Sequence, residues 1–139
     1  MKLDLDYVKK LLNTINDCDD DRVSLGYLFE NLVTEPDEND MQGKKLRHHL
    51  TILREAGFIM SSSPDLGFIT VLDGSFVCAT NATYWPTMEG YKLLESMNND
   101  TLFNKIKGGL SYFGIETLKQ IPALTITLLT EDLKKRFGL

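Results

Sequence analysis

The sequence has little of what stabilises small secreted proteins or anchors membrane proteins. Its 139 residues include two cysteines, Cys18 and Cys78, and neither belongs to a C-x-x-C pair. The first ten residues, MKLDLDYVKK, carry acids where a signal peptide needs an apolar core. The longest apolar-leaning run, Ile121–Leu129, is too short for a bilayer and is interrupted by Pro122. We therefore expect free thiols, no membrane partner and a cytoplasmic location.

The sequence also lacks the short motifs of common catalytic and metal sites. It has no G-x-S-x-G, no phosphate-binding glycine loop and no zinc-ligand spacing. The run Asp17–Asp21 has the alternating aspartates of a calcium loop, but Arg22 and Leu28 stand where glycine and glutamate are required. His48 and His49 diverge by about 100° on a helix, so they cannot readily share a ligand. We expect no catalytic residue, no metal and no cofactor.

What remains is the composition of one ordinary globular domain, 42% hydrophobic and 25% charged, with an uneven charge distribution. Residues 1–40 carry four basic and eleven acidic side chains, a balance of −7. Residues 41–58 carry four basic and one acidic, a balance of +3, and residues 59–139 carry seven basic and eight acidic, a balance of −1. An acidic body with one basic segment opposes strong nonspecific DNA binding at long range.

That basic segment, Lys44–Ile59 (KKLRHHLTILREAGFI), is the most informative part of the chain. At 100° per residue, Leu46, Leu50 and Leu53 fall on one side of a helix, with His49 beside them. The opposite side and its flank carry polar and basic side chains that could contact phosphates or base edges. The six candidate DNA-binding residues are Lys44, Lys45, Arg47, His48, Thr51 and Arg54. The competing interpretation is a solvated helix face. In either case we expect His49 to be a hydrogen-bonded packing residue and His48 to be exposed, where it could contact a phosphate if protonated.

The surrounding pattern predicts short helices and a β-hairpin. The first two predicted helices are Leu5–Ile15, with Asp4 or Asp6 as cap, and Leu25–Leu32, with Ser24 as cap. The third covers residues 41–57 and is capped by the acidic connector Asp37–Asp40. A fourth helix is capped by Thr87 and has Tyr91, Leu94 and Met97 on its apolar face. The predicted strands are Phe68–Leu72, Ser75–Thr80 and Thr83–Trp85, with Asp73-Gly74 as a hairpin turn. These elements predict an α+β fold over residues 1–99.

Residues 100–139 are predicted to form a helical extension. Helix is expected at Thr101–Ile106, followed by a joint at Gly108-Gly109 and two segments, Ile115–Ile121 and Ala123–Phe137, separated by Pro122. The apolar residues of the last part are Leu124, Leu128, Leu129 and Leu133. They favour either a homodimer surface or packing back on the first helix, and the sequence leaves both open.

Two resemblances follow from these segments. The order helix, helix, KKLRHHLTILREAGFI, hairpin, TYWPTMEGYKLLESM resembles winged-helix transcription regulators, which implies a winged helix-turn-helix core. The opening MKLDLDYVKKLL, together with His49–Ile59, Pro86–Ser96 and Asp100–Phe103, resembles a small family found in phage and prophage regions and catalogued as a domain of unknown function. The sequence departs from that family at Pro86-Thr87-Met88, where leucine-threonine-tryptophan is usual, and at Tyr91, where histidine is usual.

The leading hypothesis is therefore a DNA-binding regulator from a mobile element, with the third helix contacting DNA. The main alternative is a winged helix that binds a host or phage protein, which the acidic body favours. A weaker alternative is an enzyme whose site is assembled from distant residues.

The failed calcium and zinc spacings give a first testable prediction. Adding Ca²⁺, Zn²⁺ or a chelator should leave the melting temperature unchanged, because a ligand stabilises a protein only if the folded state binds it. Thermal unfolding with and without each ion is the measurement. A saturable rise in melting temperature with either ion would contradict the prediction.

Overall fold

The computed structural model describes residues 1–34, 40–109 and 115–138 of the chain. Over these residues the fold is α+β, with six helices and five short strands. In chain order the elements are α1 (Leu5–Asn16), β1 (Val23–Ser24), α2 (Leu25–Leu32), α3 (Met41–Glu55), β2 (Ile59–Ser61), β3 (Phe68–Thr70), β4 (Phe76–Cys78), β5 (Thr83–Pro86), α4 (Met88–Met97), α5 (Asp100–Gly109) and α6 (Ile115–Phe137).

Three helices begin at a side-chain cap that the sequence predicts. The side chains of Asp4, Ser24 and Thr87 each accept a hydrogen bond from the backbone N–H three residues later. The start of α3 differs, because Asp40 lies in the left-handed region with φ of 50° and its side chain makes no cap bond. The rest of the predicted acidic connector lies outside the described residues.

The strands form a three-stranded antiparallel sheet and a separate hairpin. In the sheet β5 lies between β1 and β2, with Val23 opposite Tyr84 and Met60 opposite Trp85. The hairpin pairs β3 with β4. Strand β1 was not predicted, because two residues are too few to show an alternating pattern. The hairpin strands are also shorter than predicted, since the chain turns at both of their ends.

Helix α3 has the predicted orientation. Leu46, Leu50 and Leu53 are fully buried, and so is His49. The helix ends at Glu55, and Gly57 follows with φ of 83°, a conformation that glycine adopts without the strain of a side chain. The apolar face of α3 therefore packs into the core and directs the remaining side chains outward.

The start of α4 lies directly against the segment that follows α3. The Thr87 hydroxyl donates to the Gly57 carbonyl at 2.6 Å, and the Thr87 N–H donates to the Phe58 carbonyl at 3.0 Å. A Cβ at Gly90 would lie 2.0 Å from the Phe58 carbonyl oxygen, well inside van der Waals contact. This position therefore requires glycine.

The predicted buried face of α4 is partly wrong. Leu94 and Met97 are buried, but Tyr91 is exposed and Leu93 is buried in its place. The reason is the close approach at Gly90, which turns the side of the helix containing Gly90, Leu93 and Met97 toward the core.

The C-terminal helices continue the same core. Two ion pairs join α5 to α1, Lys9 with Asp100 at 2.5 Å and Lys107 with Asp6 at 2.6 Å. Helix α6 packs against α4 and α5 and buries Leu118 and Ile121. No helix among the described residues is long and apolar enough to cross a membrane.

Two predicted boundaries in this region are wrong. Gly108 and Gly109 belong to α5, and α6 runs through Pro122 as one helix. Proline removes one hydrogen bond from a helix interior. Leu118, Ile121 and Thr125 are buried on both sides of Pro122, and this packing holds the helix together across the missing bond.

The buried stripe of α3 gives a stability prediction. Replacing Leu50 by alanine should lower the free energy of unfolding by about 2–5 kcal/mol, because it removes buried methyl groups and leaves a cavity. Urea denaturation is the measurement, with Met88→Ala as the exposed control, for which a change within about 0.5 kcal/mol is expected. Equal stability of the two variants would contradict the core assignment of Leu50.

Candidate nucleic-acid interface

Four of the six predicted DNA-binding residues meet at one place. Lys44, Arg47, His48 and Thr51 line a shallow pocket of about 250 Å³ on the outward face of α3. They are brought together because positions three, four and seven apart share a helix face when the leucines take the opposite one. We call these four residues the α3 pocket. Lys44 is exposed, and the other three are half-buried.

Arg47 connects the α3 pocket to the β3–β4 hairpin. Its guanidinium lies 3.4 Å from the Thr70 hydroxyl of β3 and 5.3 Å from the centre of the Phe76 ring of β4. The Thr51 hydroxyl donates to the Arg47 carbonyl at 2.8 Å, so its hydrogen is already used and its oxygen is left to accept. The pocket therefore offers two cations and one acceptor beside the hairpin.

Lys45 and Arg54, the other two predicted residues, are engaged with other parts of the chain. The Lys45 ammonium lies 2.8 Å from the Asp4 carboxylate and 4.8 Å from the centre of the Tyr7 ring. The Arg54 guanidinium donates to the carbonyl of Pro64. Neither side chain lines the α3 pocket, whose two cations are Lys44 and Arg47.

His49 is a packing residue, as predicted. Its Nε2 accepts a hydrogen bond from the Asp4 backbone N–H at 3.0 Å, and its Nδ1 lies 2.8 Å from the Lys45 carbonyl. Because an N–H can only donate, Nε2 must be the acceptor, and Nδ1 carries the proton that it donates to Lys45. Both ring nitrogens are used, so His49 has none left for a ligand.

His48 differs from its prediction, since it is half-buried rather than exposed. Its Nε2 is enclosed and has no hydrogen-bond partner. Burial and the positive charge of the nearby N-terminal amino group lower the pKa of His48. A neutral imidazole does not attract a phosphate, so this residue contributes shape rather than charge to the α3 pocket. Among the described residues, no group of three or more histidine, cysteine or acidic side chains is placed to hold a metal.

The hairpin beside the α3 pocket is apolar on its outer face. Ile69 and Val77 are cross-strand neighbours, 50% and 57% exposed, and Leu72 in the turn is fully exposed. On the inner face the Phe68 and Phe76 rings pack edge to face at 5.2 Å. The sequence contains no lysine or arginine between Arg54 and Lys92. The positive charge of α3 therefore does not continue onto the hairpin.

These exposed hairpin residues were missed in the sequence. The signal was the alternation in Phe68–Thr70 and Phe76–Cys78, which places Ile69 and Val77 on the face opposite the phenylalanines. The structure buries Phe68 and leaves Ile69 and Val77 exposed.

Comparisons with family models, with curated proteins and with solved structures gave no significant match. The functional argument therefore depends on the geometry of the α3 pocket and the hairpin.

The environment of His49 predicts a loss of stability in acid. Burial lowers the pKa of His49 from 6.5, and the charges of His48 and Lys45 act in the same direction, against the Lys45 carbonyl and Asp4. As the pH falls, His49 is therefore protonated in the unfolded chain before it is protonated in the folded protein. The contribution to stability is full above about pH 6.5 and is lost as the pH falls toward the lower folded-state pKa.

Urea denaturation across this pH range tests the prediction. His49→Gln should flatten the dependence of the unfolding free energy on pH. His48→Gln is the matched control and should flatten it less, because His48 is only half-buried. Identical slopes for the wild type and His49→Gln would contradict the assignment.

Proposed function

We propose that the chain is a non-catalytic, winged-helix binding module in which α3 is the recognition helix and the β3–β4 hairpin is the wing. The order α1, β1, α2, α3, β2, hairpin, β5 supports this proposal, as does the position of β5 between β1 and β2. The resemblance to winged-helix regulators and to a phage-associated family points the same way. The binding surface is the α3 pocket together with the outer face of the hairpin.

The proposed partner is a protein rather than DNA. The observation that carries this choice is the exposed Ile69–Val77 pair on the outer face of the hairpin, whose inner face contacts Arg47. DNA binding needs cations that follow the phosphate backbone, and the hairpin has none. Covering an apolar face with the apolar side chains of another protein removes it from water and lowers the free energy, whereas contact with a phosphate backbone contributes little.

The chemistry of this surface describes the partner. It should carry acidic side chains for Lys44 and Arg47, and apolar side chains that reach the outer face of the hairpin at Ile69, Val77 and Leu72. Attraction between unlike charges would speed and orient the encounter, while the apolar contact would supply most of the affinity. The resemblance to a phage-associated family favours a host or phage protein as this partner.

DNA remains the second candidate because of the α3 pocket itself. Lys44, Arg47 and Thr51 are the residue types that contact phosphates and base edges, and they lie on the face that a recognition helix presents to the major groove. In this case the hairpin would stay clear of the duplex. Binding would then be weak at physiological salt, because few cations take part.

Two double variants separate the candidates. Lys44→Ala with Arg47→Ala removes the charge, and Ile69→Thr with Val77→Thr removes the apolar pair while keeping residues that favour strands. Lys10→Ala with Lys105→Ala is the control, because it removes the same charge from exposed sites outside the surface. Each tagged protein is cross-linked in its host, and the captured protein and nucleic acid are both identified.

A protein partner should be lost from both double variants of the surface and kept by the control. With the purified partner, each double variant should raise the dissociation constant by about tenfold or more, the effect of losing about 1.4 kcal/mol. DNA that is lost only with Lys44 and Arg47 would favour the second candidate. The plot of log affinity against log salt should then flatten by roughly one unit per lost phosphate contact. Capture that neither surface variant changes would contradict both.

A further inference from the structure

The two halves of α6 have different surroundings. In the first half Leu118, Ile121 and Thr125 are buried against α4 and α5. From Ile126 onward every described side chain is exposed except the half-buried Leu128. The second half of the helix therefore extends from the domain with one side in solvent.

An apolar stripe runs along this extending half. It consists of Ile126, Leu129, Leu133 and Phe137, which are between 42% and 72% exposed. At 100° per residue these four side chains fall within about 80° of one another, on a side of the helix next to the buried one. We call them the α6 stripe. Its spacing of three, four and four residues is that of an eleven-residue repeat, which keeps a narrow apolar seam on one side of a nearly straight helix and suits pairing with a second helix.

The charges beside the α6 stripe are complementary to the same charges in a second, antiparallel copy of the helix. Asp132 and Arg136 lie on one flank, where the carboxylate and guanidinium are 3.2 Å apart. Lys134 lies on the other flank. When two identical helices run antiparallel, the same flanks face each other, so Asp132 of each copy meets Arg136 of the other. In a parallel pair Arg136 would instead face Lys134, and the two would repel.

From this geometry we propose that the second half of α6 pairs antiparallel with the same segment of a second copy of the chain. Leu133 lies at the two-fold axis, and Leu129 of each copy packs against Phe137 of the other. The isologous contact closes on itself, as most homodimers do. This inference does not depend on the partner proposed for α3.

A membrane surface fits the α6 stripe less well than a second copy. Interfacial helices combine a wide apolar face with a strongly basic one. Here the apolar face is narrow, and residues 126–138 carry three basic and two acidic side chains. One net positive charge gives little attraction to anionic lipid.

The size of the seam determines the expected strength of the dimer. Stable interfaces bury about 1,200 Å² or more in total, and the three side chains per copy that meet in this register, Leu129, Leu133 and Phe137, fall below that size. We therefore expect a monomer–dimer equilibrium that depends on protein concentration rather than a permanent dimer.

The test uses the full chain in sedimentation equilibrium over a range of concentrations. The wild type should approach dimer mass as the concentration rises. Leu133→Asp should remain monomeric, because it brings two carboxylates together at the axis. Thr127→Asp adds the same charge to an exposed position off the stripe and should still dimerise. Circular dichroism checks that each variant keeps its helix content.

A charge exchange tests the antiparallel orientation. Arg136→Asp leaves two acids on the flank, and Asp132→Arg leaves two bases, so each variant alone should associate less than the wild type. Mixing the two variants should restore association, because each flank then meets its opposite. Both chains still lack their own internal ion pair, so the restoration cannot come from repairing the helix.

Three results would overturn the proposal. One is a wild type that stays monomeric at high micromolar concentration. A second is a mixture that associates no better than its two components. The third is a monomeric wild type that binds vesicles of phosphatidylcholine and phosphatidylserine, with Leu133→Asp abolishing that binding, which would assign the α6 stripe to a bilayer.

Discussion

The imidazole of His49 joins the start of α1 to the middle of α3, and much of the surface follows from this contact. Its Nε2 accepts from the Asp4 N–H while the Asp4 carboxylate caps α1 and holds the Lys45 ammonium. The Tyr7 ring packs on the imidazole at 4.7 Å between centres. Together with the buried leucines of α3, these bonds hold the helix in the orientation that places its other side chains outward. A neutral histidine is required, since a proton on Nε2 would oppose the Asp4 N–H.

The same contacts explain why a chain with a basic helix presents so little positive charge. Lys45 contacts the Asp4 cap of α1, Arg54 donates to the Pro64 carbonyl, and burial lowers the pKa of His48. The α3 pocket therefore has two cations, Lys44 and Arg47, beside a hairpin whose outer face is apolar. Their combination favours a partner that offers both acids and apolar side chains, and this is more easily found on a protein than on a duplex.

The sequence predicted what depends on local patterns and missed what depends on distant contacts. The spacing of Leu46, Leu50 and Leu53 was enough to orient α3, and Asp4, Ser24 and Thr87 were correct as helix caps, because these signals act within one or two turns. Lys45 and Arg54 are included in the predicted site because a local pattern does not show their contacts with Asp4 and Pro64, which belong to other parts of the fold. Tyr91 was misplaced for a similar reason, since the close approach of Gly90 to the Phe58 carbonyl sets the face of α4. The sequence predicts a helix break at Pro122 because a local pattern does not show that residues on both sides of the proline are buried.

The close approach of Gly90 to the Phe58 carbonyl also affects the position of the C-terminal helices. Helices α5 and α6 pack on α4 and on each other, so a tilt of α4 moves them together. Helix α6 is about 35 Å long at 1.5 Å per residue, so a small tilt of α4 displaces the far end of α6 more than its start. A methyl group at position 90 would push α4 away from the Phe58 carbonyl and would move α5 and α6 with it. The absence of one side chain therefore allows α4, and the C-terminal helices packed on it, to lie this close to the segment that follows α3.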